Sequence, residues 1–189
     1  AATISELAKR FHMAMCLERL EGCEILCVTI DNEQAGYDAT NLLIGKGRKR
    51  IGLITTKVRS QSSIDRENGY KRALVDAGIG VDEELIYYGD YSAESGAEGC
   101  EELLRLDERP DAIFSISDTI SIGAMTYALQ HGVEVGKDIL FFGFDNIAYS
   151  HMFIPRLSTV EQPCYLQGKT VIEKLISNMK AEEPDRGTY

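Results

Sequence analysis

Short apolar runs alternate with amphipathic stretches of helical length along nearly the whole chain, and that alternation restricts it to βα units around a mainly parallel sheet. Strands are predicted over residues 11–16, 25–30, 51–55, 85–88, 111–117 and 139–144, with a last extended piece at 157–160. Helices are predicted over 33–44, 63–77, 93–106, 120–130 and 165–179, with a short one near 148–152. Asp31-Asn32 supplies a cap for the first of these, and Ala35, Ala39, Leu42 and Leu43 recur at helical spacing behind it. Gly78 and Gly132 stand where helices stop, and Pro110 ends one unit and admits the next strand. The fold class is α/β, doubly wound.

Composition narrows what such a fold can do. With 44% apolar and 26% charged residues in 189, the chain has enough core for one domain or two small lobes. A formal charge of -10 opposes phosphate backbones and anionic membranes, so neither DNA nor a membrane is expected as a direct partner of this chain. No apolar run approaches the about 18 residues that span a bilayer. The first residues, Ala1-Ala2-Thr3-Ile4-Ser5-Glu6-Leu7, lack the basic-then-apolar order of a secretory signal. Five cysteines without a C-x-x-C pair read as buried free thiols in a reducing compartment. There is no G-x-S-x-G elbow, no Walker loop and no H-E-x-x-H, and His12, His131 and His151 lack metal-ligand spacing. No catalytic residue, metal or cofactor is therefore assigned. Gly45-Lys46-Gly47-Arg48-Lys49-Arg50 follows a helix instead of opening one, so it reads as a C-cap with a solvated basic turn and not as a phosphate cradle.

Open parallel sheets bind ligands beyond the carboxyl ends of their strands. Phe141-Phe142-Gly143-Phe144-Asp145-Asn146 ends a buried strand on a carboxylate, and the strand from Asp111 ends the same way at Ser117-Asp118. Asp145 has the chemistry to accept from two vicinal hydroxyls, the arrangement a pyranose offers; the competing reading makes it the cap of the short helix that follows. Asp118 reads as an N-cap, which leaves Ser117 as the better ligand contact. Arg66 is expected in the first turn of its helix, where the dipole disfavours a cation unless a negative or hydroxylated group meets it. Either it faces the crevice, or it is a surface arginine paired with Asp65 or Glu67. Tyr91, at a strand end, offers its ring to a sugar face or to the core. Asn68-Gly69-Tyr70 reads as a site of close helix packing.

The motifs also occur in a telling order. Ile30-Asp31-Asn32-Glu33-Gln34-Ala35-Gly36, Gly47 through Ile54, Arg66-Glu67-Asn68-Gly69-Tyr70, Arg109 through Phe114, Ser117-Asp118 through Ala124, Gly143-Phe144-Asp145-Asn146 and Leu157 through Pro163 together resemble the effector-binding core of lactose/galactose-repressor-type (LacI/GalR) transcription regulators. The resemblance implies a two-lobed, periplasmic-binding-protein-like fold, with one lobe incomplete here: residues 1–48 and 163–180 as a partial N-terminal lobe and 49–161 as the C-terminal lobe. It implies a small-molecule effector, a sugar or sugar derivative, held by Arg66, Asp145 and Tyr91, with Ser62 and Gln34 as further polar contacts. Ser117 stands where many members carry Asn, and Cys164 where a bulky or aromatic wall is common. It also implies a cytoplasmic homodimer, with Met152 and Phe153 in the interface. DNA would be reached through an N-terminal head and hinge, which do not precede Ala1, and the chain stops at Thr188-Tyr189 before the family's last strand.

Two other readings share this fold. One is an extracytoplasmic sugar-binding protein of a transport system. The other is an enzyme using Asp118 and Asp145 as an acid/base pair, for which no nucleophile, metal set or cofactor loop is present.

Overall fold

The computed structural model describes residues 2–181 and 185–189. In chain order the elements are α1 (Ala2–Ala8), β1 (Ala14–Cys16), β2 (Leu26–Val28), α2 (Asn32–Gly45), β3 (Ile51–Thr56), α3 (Gln61–Asp76), β4 (Ile86–Gly89) and α4 (Ala93–Leu104). They continue with β5 (Ala112–Ser115), α5 (Asp118–Gln130), β6 (Leu140–Asp145), β7 (Ser158–Glu161) and α6 (Cys164–Lys180). Single 3-10 turns sit at Glu83–Leu85 and Ala148–His151. The chain forms two compact units, one of Ala1–Asn32, Ser60–Ser62 and Pro163–Tyr189, the other of Glu33–Arg59 and Ser63–Gln162.

The second unit is built on a five-stranded sheet of order β4-β3-β5-β6-β7, parallel throughout. β3 and β5 are buried along their whole length, as are the four central residues of β6, which is why these strands read as unbroken apolar runs. The helix α2 belongs to this unit, whereas the sequence reading grouped it with the partial lobe 1–48. The reason is close backbone contact with α3. A Cβ on Gly36 would lie 2.5 Å from the Arg66 carbonyl oxygen, and one on Gly69 would run into the Glu33 carbonyl. Arg72 reinforces the contact, bonding Glu33 at 2.5 Å and Gln34 at 2.8 Å and covering the Tyr37 ring.

Gly47 ends α2 in the left-handed region at φ +82°, with Arg48 N donating to Leu43 O, so the basic turn is a helix stop as expected. It is less solvated than the sequence suggests. Lys49 N and Arg50 N donate to the Asp111 carboxylate, and the Arg50 guanidinium reaches Asp82 and the Glu108 carbonyl.

In the first unit β1 and β2 form a parallel pair, against which α6 packs. Residues 187–189 run along the other side of β2: Cys27 N donates to Gly187 O at 3.0 Å, Tyr189 N to Cys27 O at 2.9 Å and Thr29 N to Tyr189 O at 2.8 Å. The sequence reading expected no strand there. Asn178 and Asp185 exchange two hydrogen bonds that fix the entry to this edge. All five cysteines are free; Cys27 and Cys100 are buried, Cys16 and Cys23 half-buried, and Cys164 is exposed, contrary to the expectation of uniformly buried thiols.

Candidate functional site

The carboxyl edge of β5 and β6 gathers a buried cation and a partly exposed carboxylate. Because α3 starts at Gln61, earlier than expected, Arg66 falls in its second turn and not its first. The dipole argument therefore does not apply; packing holds the side chain instead. Arg66 is 5% exposed, its Nη1 donates to the Ile116 carbonyl at 2.6 Å, and its guanidinium carbon lies 3.6 Å from the centre of the Phe144 ring. The surface-arginine reading fails because the side chain is buried, and Glu67 is engaged by Arg59, Lys71 and Tyr88.

Asp145 closes β6 at φ +111°, followed by Asn146 at +56°, both at the positive φ that side chains other than glycine rarely adopt. Its side chain is 29% exposed and its Oδ1 stands 3.9 Å from Arg66 Nη1, too far for a hydrogen bond. That oxygen accepts from Gln162 Nε2 at 2.5 Å. Burial pushes the Asp145 carboxyl above the usual carboxylate range, against the pull of Gln162 and Arg66 toward the charged form. Asp145 is not a helix cap. The turn at Ala148–His151 begins at Ile147 with no side-chain cap.

The cap read at Asp118 falls one residue earlier. Ser117 is the N-cap of α5, accepting from Ile120 N at 3.3 Å, which leaves its own hydroxyl proton to donate. Asp118 is fully buried; its Oδ1 accepts from Thr159 Oγ1 at 2.6 Å and its Oδ2 from Ile147 N at 2.9 Å. Burial also raises the Asp118 carboxyl.

Arg66, Ser117 and Asp145 thus share one edge, joined by Phe144 and by Gln162, to which the sequence reading gave no role. Its signal was positional: a polar residue just past the end of the strand beside β6. The other expected contacts divide between the two units. Tyr91 is exposed beyond β4, the outer strand, two places from β5. Gln34 is exposed and held by Asp38 and Arg72. Ser62, in the first unit, gives its hydroxyl to Glu18 Oε2 at 2.6 Å and its amide to Oε1 at 3.0 Å. Cys164 is exposed at the start of α6. Among the described residues no three His, Cys, Asp or Glu side chains cluster as a metal site, and no helix is long and apolar enough to cross a membrane.

The arrangement is suited to a neutral, hydroxyl-rich molecule: a carboxylate to accept, a guanidinium and a hydroxyl to donate, and an aromatic wall behind them.

Comparison with known proteins places the chain among relatives of known kind. The sequence profile of the periplasmic binding protein-like domain matches residues 40–189. The transcriptional repressor CytR of Escherichia coli (strain K12) is 35% identical over 187 residues, covering 99% of this chain and 55% of the relative. A sugar-binding LacI-family regulator from Escherichia coli, crystallised with phosphate, is 30% identical with a TM-score of 0.86, over 100% of this chain and 69% of that one. The regulator CelR in complex with cellobiose is 31% identical with a TM-score of 0.84, over 90% of this chain and 54% of that one. The chain spans about half the length of the curated relatives it matches. All three are regulators of transcription. With its parallel sheets and this kinship together, the chain belongs to the LacI/GalR family of transcription regulators and is the periplasmic-binding-protein-like, effector-binding core of one.

Proposed function

We propose that this core senses a sugar or sugar derivative at the carboxyl edge of β5 and β6, with Asp145 accepting from ligand hydroxyls, Arg66 and Ser117 donating to ligand oxygens, and Gln162 orienting the carboxylate. The observation that carries the reading is the 3.9 Å gap between Arg66 Nη1 and Asp145 Oδ1. Two opposite charges so placed, one anchored on Ile116 and Phe144, are held near each other without closing on each other. A ligand oxygen bridging them satisfies both. The cellobiose held by one similar regulator and the description of another as sugar-binding support the ligand class. The core turns nothing over; it acts in the cytoplasm as a homodimer, and the full-length protein reaches DNA through a DNA-binding head.

A thermal-shift screen of the chain against mono- and disaccharides, sugar phosphates and purines tests this, because a ligand that binds only the folded state raises its melting temperature. The expected result is a rise with a neutral sugar that Asp145→Asn abolishes. A response to purines alone, or a sugar response that survives Asp145→Asn, overturns the reading.

A further inference from the structure

The segment that presents Asp145 is an unusual piece of backbone. Two successive non-glycine residues, Asp145 and Asn146, sit at positive φ where β6 ends, and such a conformation persists only when its surroundings over-determine it. The turn also takes the next two backbone amides, Asn146 N and Ile147 N, out of the β6 ladder, so each needs another acceptor.

Both amides end on one couple of side chains. Asn146 N donates to Thr159 Oγ1 at 3.3 Å, and that hydroxyl donates in turn to Asp118 Oδ1 at 2.6 Å. Ile147 N donates to the other Asp118 oxygen at 2.9 Å. The three residues come from separate elements: Asp118 opens α5, Thr159 lies on β7 paired with Gly143 of β6, and the amides follow β6. Gly143 makes room for the couple, since a Cβ there would run into Asp118 Oδ1. Asp118 itself has no exposed surface, so it cannot touch a ligand.

We infer that Asp118 and Thr159 are positioning residues: they clamp the left-handed turn at Asp145 and Asn146, and thereby set the direction of the Asp145 carboxylate on which effector binding depends. The inference rests on the reading of Asp145 as an effector contact for its consequence, but the clamp itself is tested without ligand. The two can fail separately.

The test compares Thr159→Val with Thr159→Ser in the ligand-free chain, by amide exchange and by carboxyl-detected NMR titration of Asp145. Valine keeps the β-branched shape the strand favours and removes the hydroxyl; serine keeps the hydroxyl. Ile147 is the discriminating amide, because its own acceptor is untouched in both variants. In Thr159→Val its exchange should quicken roughly five- to tenfold, and the Asp145 carboxyl should titrate lower, nearer an ordinary aspartate, as the freed turn lets water reach it. Thr159→Ser should restore both. A fall in melting temperature with Ile147 exchange and Asp145 titration unchanged would make the couple merely structural and overturn the inference. If Thr159→Val does not fold, Asp118→Asn, which keeps the shape but turns one acceptor into a donor, is read by Asn146 and Ile147 exchange alone, with the same two outcomes.

Discussion

Asp145 concentrates the binding chemistry in one side chain, because Gln162 holds one of its oxygens and the other meets no donor among the described residues. Asp145→Asn keeps the size but turns an acceptor into a donor, so the expected loss of effector affinity is about 2 to 4 kcal/mol, roughly thirty- to a thousandfold. Calorimetric titration with the sugar found by the screen checks this; a large drop in the melting temperature of the ligand-free variant would instead assign Asp145 a structural role. The pH dependence follows from the same group. Burial raises the Asp145 carboxyl, so the ligand-free fold favours its neutral form; that stabilising contribution is present at low pH and fades as pH rises through the raised value. Hydroxyl donors need the charged form. Effector affinity should therefore be full at neutral pH and begin to fall on acidification above the pH at which an ordinary aspartate protonates, and Asp145→Asn should flatten the curve. At this scale the sequence was partly legible. Position at a strand end marks Asp145 and Ser117, but Ser117-Asp118-Thr119 offers two candidate caps, and only Thr159 and Ile147, distant in sequence, decide between them. Ser62 is likewise claimed by Glu18, 44 residues away, which no local pattern reveals.

Elements were more legible than residues because periodicity reports burial, and burial is what places most strands and helices here. The exceptions have physical causes. α1 buries none of its residues, so it leaves no apolar period to read. The pairing of residues 187–189 beside β2 needs only three residues, too few for a pattern. The allegiance of α2 was hidden for a different reason: Gly36 and Gly69 announce close packing without naming the partner, and it is their mutual approach that ties α2 to α3. This makes a sharp prediction. In Gly69→Ala the new methyl would meet the Glu33 carbonyl and come within 2.6 Å of Tyr37 N, both backbone atoms that cannot swing aside. Stability should fall by about 1 to 3 kcal/mol in denaturant titration. Gly45→Ala, at the exposed end of α2 with open space around it, should instead be neutral or stabilising by about 0.5 kcal/mol. Equal effects from the two would refute the packing argument.

For the whole molecule, the sequence's acidity and its exposed apolar surface bear on association. A net charge of -10 opposes approach to a phosphate backbone. Self-association is another matter. Between the buried Ser150 and Pro155, Met152 is 71% exposed and Ile154 91%, with Tyr149 at 66% just before them and Phe153 half-buried among them. Four large apolar side chains on six consecutive residues make a patch that a monomer has no reason to show to water, and a two-fold contact would bury it against its own copy. Met152→Asp places an unpaired charge in the middle of that contact. It should weaken dimerisation by about 2 to 4 kcal/mol, roughly thirty- to a thousandfold in dissociation constant, while leaving the melt of the folded monomer nearly unchanged because the side chain packs against little of its own chain. Light scattering across micromolar concentrations reads this directly. A wild-type monomer at high micromolar concentration would refute the dimer, whereas a dimer indifferent to Met152→Asp would move the interface to another face. The first alternative is α6, which buries Gln167, Val171 and Asn178 and leaves Tyr165, Leu166, Ile172, Ile176 and Met179 exposed. That is more apolar surface than a solvated helix face carries, and Ile172→Lys would then disrupt association where Met152→Asp did not.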